Sequence, residues 1–188
     1  MAEFDRHTPE TAPAEAKPLL EASAKAYGMI PNLHAVLAES RETYEAYQTL
    51  QRLFAEASLS TVERHVVWLT INVENRCHYC VPAHSFLALK DGVGRDVVDA
   101  VREERPIADA RLEALRVFAR DMTRERGFVG DAAVDAFLAA GFSRRNVLDV
   151  ILGVSHKVIS NYVNHLARTP VDAPFAAHAW TPVARDAA

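Results

Sequence analysis

Cysteine and glycine are both in short supply in this chain, at 2 and 7 of 188. Two cysteines cannot build the multi-bridge framework of a small secreted domain. Seven scattered glycines leave no glycine-rich phosphate loop. Positive charge is not in excess either: the formal net charge is −4 and the pI about 6.1, which argues against an electrostatic nucleic-acid binder. No run approaches the roughly 18 apolar residues of a membrane span. Met1 to Pro18 has neither the basic start nor the apolar centre of a secretory leader. These absences lead us to expect a cytoplasmic protein with no nucleic-acid or membrane partner. What is present suffices for a core, with 49% hydrophobic and 24% charged residues.

Apolar periodicity predicts an all-α fold: a tail over residues 1–13, then a single helical domain over 14–188 with an irregular segment from about 169. Helices are expected from Ala14 to Tyr27, stopped at Gly28, around Leu33–Leu37, and from Glu42 to Glu56. Ser60 and Glu63 have the spacing of a capping box. They open a helix through Val66, Val67, Leu69, Ile71 and Val73 that is apolar on most faces and is expected at the centre of the fold. A kink is expected at Asn75-Arg76, then a helix from Cys77 to Lys90 and a short one over Arg95–Arg102. Asp109, Asp131 and Ser143 are expected to cap three more. The last of these carries its apolar face on Val147, Val150, Ile151, Val154, Val158, Ile159 and Tyr162.

Chemistry concentrates in Glu74-Asn75-Arg76-Cys77-His78-Tyr79-Cys80-Val81-Pro82-Ala83-His84. If Cys77 to Cys80 is the first turn of a helix, the two sulfurs share a face. Free N–H groups and the helix dipole there favour a thiolate. His84, one turn after Cys80, can take its proton directly or through a water. Glu74, one turn before Cys77, can orient a group or relay a proton. The pattern fits a thiolate nucleophile with a resolving thiol. It also fits a zinc site built from Cys77, Cys80 and His84, with a fourth ligand from His65, His156 or His165, or two inert buried thiols. Glu63 reads as a cap, and His156 and His165 as structural histidines.

These residues resemble the alkylhydroperoxidase D-like, carboxymuconolactone decarboxylase-related family, in its peroxidase-related branch. The resemblance runs from Tyr27-Gly28-Met29-Ile30-Pro31-Asn32-Leu33, through Leu59-Ser60 to Glu63-Arg64 and the Glu74–Ser85 core. It ends on Asn161-Tyr162-Val163-Asn164-His165, Thr169-Pro170-Val171-Asp172 and Phe175. It implies an all-helical fold assembling as a trimer or hexamer. It also implies reduction of hydroperoxides with an external dithiol as reductant and no further cofactor or metal. By position, Cys80 corresponds to the attacking cysteine, Cys77 to the resolving one and His84 to the relay histidine. The chain departs from alkylhydroperoxidase D proper in two places. His65 stands where that protein has a glutamate, and Tyr79 where it has a histidine. Glu74 or His65 is therefore expected to replace the missing glutamate. A disulfide oxidoreductase or redox sensor with little peroxidase turnover would use the same site.

Overall fold

The computed structural model describes residues 4–184. Among them are nine α-helices and no strand: α1 Lys17–Tyr27, α2 Asn32–Leu37, α3 Arg41–Ala55, α4 Thr61–Glu74, α5 Cys80–Lys90, α6 Arg95–Arg102, α7 Ala110–Arg124, α8 Asp131–Ala139 and α9 Arg144–Ala167. The helix starts follow local chemistry. Ser60 and Glu63 form the expected capping box, as do Ser143 and Asn146. The Asp109 side chain accepts from the N–H groups of Arg111 and Leu112. Asp131 is not the cap expected of it. It is the first residue of α8, and Gly130 takes the cap position.

The helix α4 lies at the centre, buried from His65 to Val73 and packed against α5, α6, α7 and α9. One core gathers α4 with α6, α7, α8 and part of α9, and includes the stacked rings of Phe118, Phe137 and Phe142. A second core gathers α1, α2 and α3 around Cys77, Tyr79 and Cys80. Gly153 lets α9 approach closely, since a Cβ there would stand 2.9 Å from both Phe54 and Val67.

The apolar residues expected to bury α9 do so only in part: Val150 is buried and Val147, Val154 and Ile159 pack against the cores. Ile151 and Tyr162 are 41% and 56% exposed, while Asn146, Gly153, His156, Lys157, Ser160, Asn161 and Asn164 point inward with Val150. The described residues of the two flanking segments contact the helices. The His7 N–H donates to the Ala35 carbonyl, and its ring meets Glu39 at 2.7 Å. The C-terminal segment forms a 3₁₀ turn at Ala173–His178 against α5. Arg102 holds the carbonyls of His178 and Ala179. The parts of the expected segments at 1–3 and 185–188 lie outside the described residues.

Candidate active site

The backbone between α4 and α5 sets the geometry of the cysteines. Helix α4 ends in a left-handed residue, Arg76 (φ 54°). The Cys77 N–H returns to the Asn72 carbonyl and the Arg76 N–H to that of Val73, which is the Schellman pattern. Cys77 therefore precedes α5, and the expected first turn over Cys77–Cys80 takes the form of a capping turn, in which the Cys77 carbonyl accepts the Val81 N–H at 3.1 Å. Cys77 behaves as a cap. Its sulfur accepts the Cys80 N–H at 3.3 Å, three residues on, as a capping side chain does. Cys80 is the first residue of α5, at the positive end of the helix. Pro82 sits in the first turn, where it is tolerated. Both thiols are free and buried.

Cys80 borders a cavity of about 90 Å³ lined by Tyr47, Trp68, Tyr79, His84, Lys157 and Phe175, among others. The Asn164 amide donates to Cys80 Sγ at 3.2 Å. Behind it, a chain of buried amides ties α9 to the end of α4. Asn75 donates to Asn161 and Asn161 to Asn72, each at 2.9 Å, and Asn72 donates to the Cys80 carbonyl at 3.4 Å. Burial alone would raise the Cys80 thiol, but contact with Cys77, the Lys157 charge and the Asn164 and Asn161 amides outweigh it and bring it down to about 6. Cys77 moves the other way, pushed far up by its contact with Cys80 and by burial. The pair is thus polarised into one thiolate and one thiol.

His84 is brought to the cavity as expected. Its Nε2 lies 2.9 Å from Lys157 Nζ, so the neutral ring accepts from the ammonium. Burial, then the Lys157 charge, holds its pKa well below the ordinary range. Glu74 and His65 are not brought to the cavity. Glu74 forks onto the guanidinium of Arg124 with two contacts of 3.0 Å, because the end of α4 presents it to α7. His65 Nε2 meets Asp91 at 2.9 Å. Neither lines the cavity. Glu63 is the cap it was expected to be and also pairs with Arg111. His156 accepts from the Trp68 indole at 3.0 Å. Among the described residues, no three His, Cys, Asp or Glu side chains are grouped to hold a metal. The zinc reading therefore lacks its ligand set.

The structure adds residues that the sequence reading missed: Lys157, Asn164, Asn161 and Asn72. Their sequence signal was a run of polar residues at helical spacing on α9, hidden beside a more conspicuous apolar run. The two flanking segments also meet here. Asp172 accepts from the Tyr79 hydroxyl at 2.5 Å and from the Asn32 N–H at 3.1 Å, and the Asn32 amide donates to the Pro170 carbonyl. The 3₁₀ turn thereby sets Phe175 as a wall of the cavity.

With this geometry in place, the chain can be compared with known proteins. Residues 41–121, from α3 to α7, match the carboxymuconolactone decarboxylase family. That match covers less than half of the chain, and over nearly its whole length the chain is similar in fold to solved structures. Its fold is that of an alkylhydroperoxidase AhpD core, an uncharacterized peroxidase-related protein from Ralstonia eutropha JMP134, at TM-score 0.80 and 19% identity, covering 93% of this chain and 96% of that one. It is equally that of an uncharacterized peroxidase-related protein from Silicibacter sp. TM1040, at TM-score 0.78 and 21% identity over 93% and 92%. The debrominase Bmp8 in complex with 2,3,4-tribromopyrrole shares it too, at TM-score 0.77 and 14% identity over 94% and 95%. No functionally curated protein matches the chain significantly. No helix among the described residues is long and apolar enough to cross a membrane.

Proposed function

We propose that this protein is a thiol-dependent peroxidase in which Cys80 attacks a hydroperoxide and Cys77 resolves the product. The observation that carries the reading is the polarised pair. Cys80 borders the cavity as the low-pKa thiol, with its partner thiol three residues away and donating nothing to solvent. Attack forms an S–O bond as the O–O bond breaks, leaving Cys80 as a sulfenic acid. The Cys77 thiol then displaces water to close a disulfide, and an external dithiol reopens it by exchange. We assign His84 to the site as a neutral positioning group, Glu74 to its ion pair with Arg124 and His65 to its hydrogen bond with Asp91, both outside the site. The test is peroxide consumption with a dithiol donor. The parent protein turns over, Cys80→Ser does not, and Cys77→Ser stops after one equivalent. Equal turnover by Cys80→Ser and the parent would remove the assignment.

The aromatic lining of the cavity, with Tyr47, Trp68, Tyr79 and Phe175, favours a second substrate for the same thiol pair. A small halogenated ring would be reduced with disulfide formation, in line with the debrominase that shares the fold. Halide release from a bromopyrrole that exceeds peroxide turnover would select that reading. We also propose a homo-oligomer. Leu148, Ile151, Tyr162 and Leu166 are exposed along one stripe of α9, at 41–71%, and a single copy leaves them in water. A monomer mass by light scattering at micromolar concentration would exclude it.

A further inference from the structure

One group at the cavity is left unused by the cysteine chemistry, the ammonium of Lys157. The residue is 1% exposed, and its Nζ contacts His84 Nε2, which carries no charge to offset it. A buried ammonium needs an anion beside it. Among the described residues, no aspartate or glutamate lines the cavity. Asp91 is engaged with His65, Asp172 with Tyr79 and Asn32, and Glu74 with Arg124. The other titratable groups around the site are His34 on α2, Tyr47 on α3, Tyr79 before α5, His84 on α5 and His156 on α9. Burial holds the histidines toward neutrality and the tyrosines protonated. The only charges that support protonation of Lys157 are those of Cys80 and Cys77.

We propose that Lys157 is the counter-ion of the Cys80 thiolate and the acid of the catalytic cycle, giving its Nζ proton to the oxygen that leaves when Cys80 attacks. The ion pair rests on the burial of Lys157 at the cavity that Cys80 borders, with no carboxylate among its described lining residues, and the acid role rests on the peroxidase reading. In the attack, the S–O bond forms, the O–O bond breaks, and the leaving oxygen keeps the electron pair and takes the Lys157 proton. The peroxide becomes an alcohol and Cys80 a sulfenic acid. Lys157 is left as a neutral amine, the form its surroundings favour once the thiolate charge is gone. The Cys77 thiol then forms the disulfide and releases water. The external dithiol returns both cysteines to thiols, itself becoming a disulfide. The Cys80 proton passes to Lys157 and restores the ion pair.

Two variants and one measurement on the parent protein test this. The rate of Cys80 alkylation by iodoacetamide is followed against pH in a Cys77→Ser background. Lys157→Met raises the midpoint by about 2 pH units, whereas Lys157→Arg keeps it low. An unmoved midpoint in Lys157→Met overturns the ion pair. Peroxide turnover falls about 100-fold or more in both variants, because a guanidinium holds its proton. Full turnover in Lys157→Arg overturns the acid role, as does a parent protein that reduces no peroxide. Should neither variant fold, proton balance in the parent decides. The reduced protein is oxidised with diamide near pH 7.5 in weak buffer containing an indicator dye. Lys157 supplies the missing proton, so no bulk proton is consumed. Uptake of one proton per disulfide would overturn the proposal.

Discussion

Helices α4 and α9 are the two best-buried long helices and reach burial by opposite means. From His65 to Val73, α4 puts mostly aliphatic and aromatic side chains against four neighbouring helices. The helix α9 turns its polar side inward, with Lys157, Asn161 and Asn164 almost fully buried, and leaves Leu148, Tyr162 and Leu166 outside. Apolar burial stabilises a fold by roughly 25 cal/mol per Å². Polar burial costs free energy unless every group finds a partner. The contrast teaches that α4 is the structural axis, while the inner face of α9 brings polar groups to Cys80 and its cavity. Several polar atoms there, including His84 Nδ1, His156 Nε2 and Asn164 Oδ1, have no hydrogen-bond partner in the protein, which is a cost the scaffold carries for chemistry.

The contrast can be broken most directly by separating activity from stability. Cys80→Ser is expected to lower peroxide turnover at least about 1,000-fold, roughly 4 kcal/mol in barrier, with little change in the urea midpoint. Leu69→Ala, 2% exposed on α4, should do the reverse. It should lose about 2–5 kcal/mol of stability by urea denaturation, with turnover per folded molecule unchanged. If Leu69→Ala abolished turnover in the folded fraction, the division between the helices would not hold.

Acid should reveal the polar half next. Burial lowers the His34 pKa to about 4 from the ordinary 6.5, so between those values the unfolded chain binds a proton that the folded one does not. Stability is then full above about pH 6.5 and falls as pH drops toward 4, by about 3 kcal/mol for this one group. His84 and His156 add to the same slope. Denaturation at pH 7 and pH 5 measures it, and a flat profile would show these rings to be charged or solvated.

Smaller effects sharpen the boundary. Asn161→Ala leaves the amides of Asn72 and Asn75 without their partner and is expected to cost about 1–3 kcal/mol, together with a slower Cys80 alkylation at pH 7. Glu74→Gln removes only the ion pair to Arg124, worth about 1 kcal/mol or less, and should leave turnover intact. A large loss of turnover in Glu74→Gln would return that carboxylate to the relay.

Much of the scaffold was legible in the linear chain because helix starts and stops are local. Ser60 with Glu63 announces a capping box, Ser143 announces a helix start, and the Asn75-Arg76 break announces the turn before α5. The cysteine pair was legible for the same reason. The relay was not. Glu74 and His65 were grouped with the cysteines by sequence distance, but rotation along α4 points one to Arg124 and the other to Asp91. Lys157 was invisible because a lone lysine in a helix usually reaches solvent.

The sequence by itself determined where the helices run and that Cys77 and Cys80 lie close, since both follow from contacts within a few residues. Tertiary structure alone decided which thiol has its pKa lowered. The choice rests on Lys157 and Asn164, 77 and 84 residues beyond Cys80. Only the packing of α9 against α4 and α5 brings their charge and hydrogen bond to one sulfur and not the other.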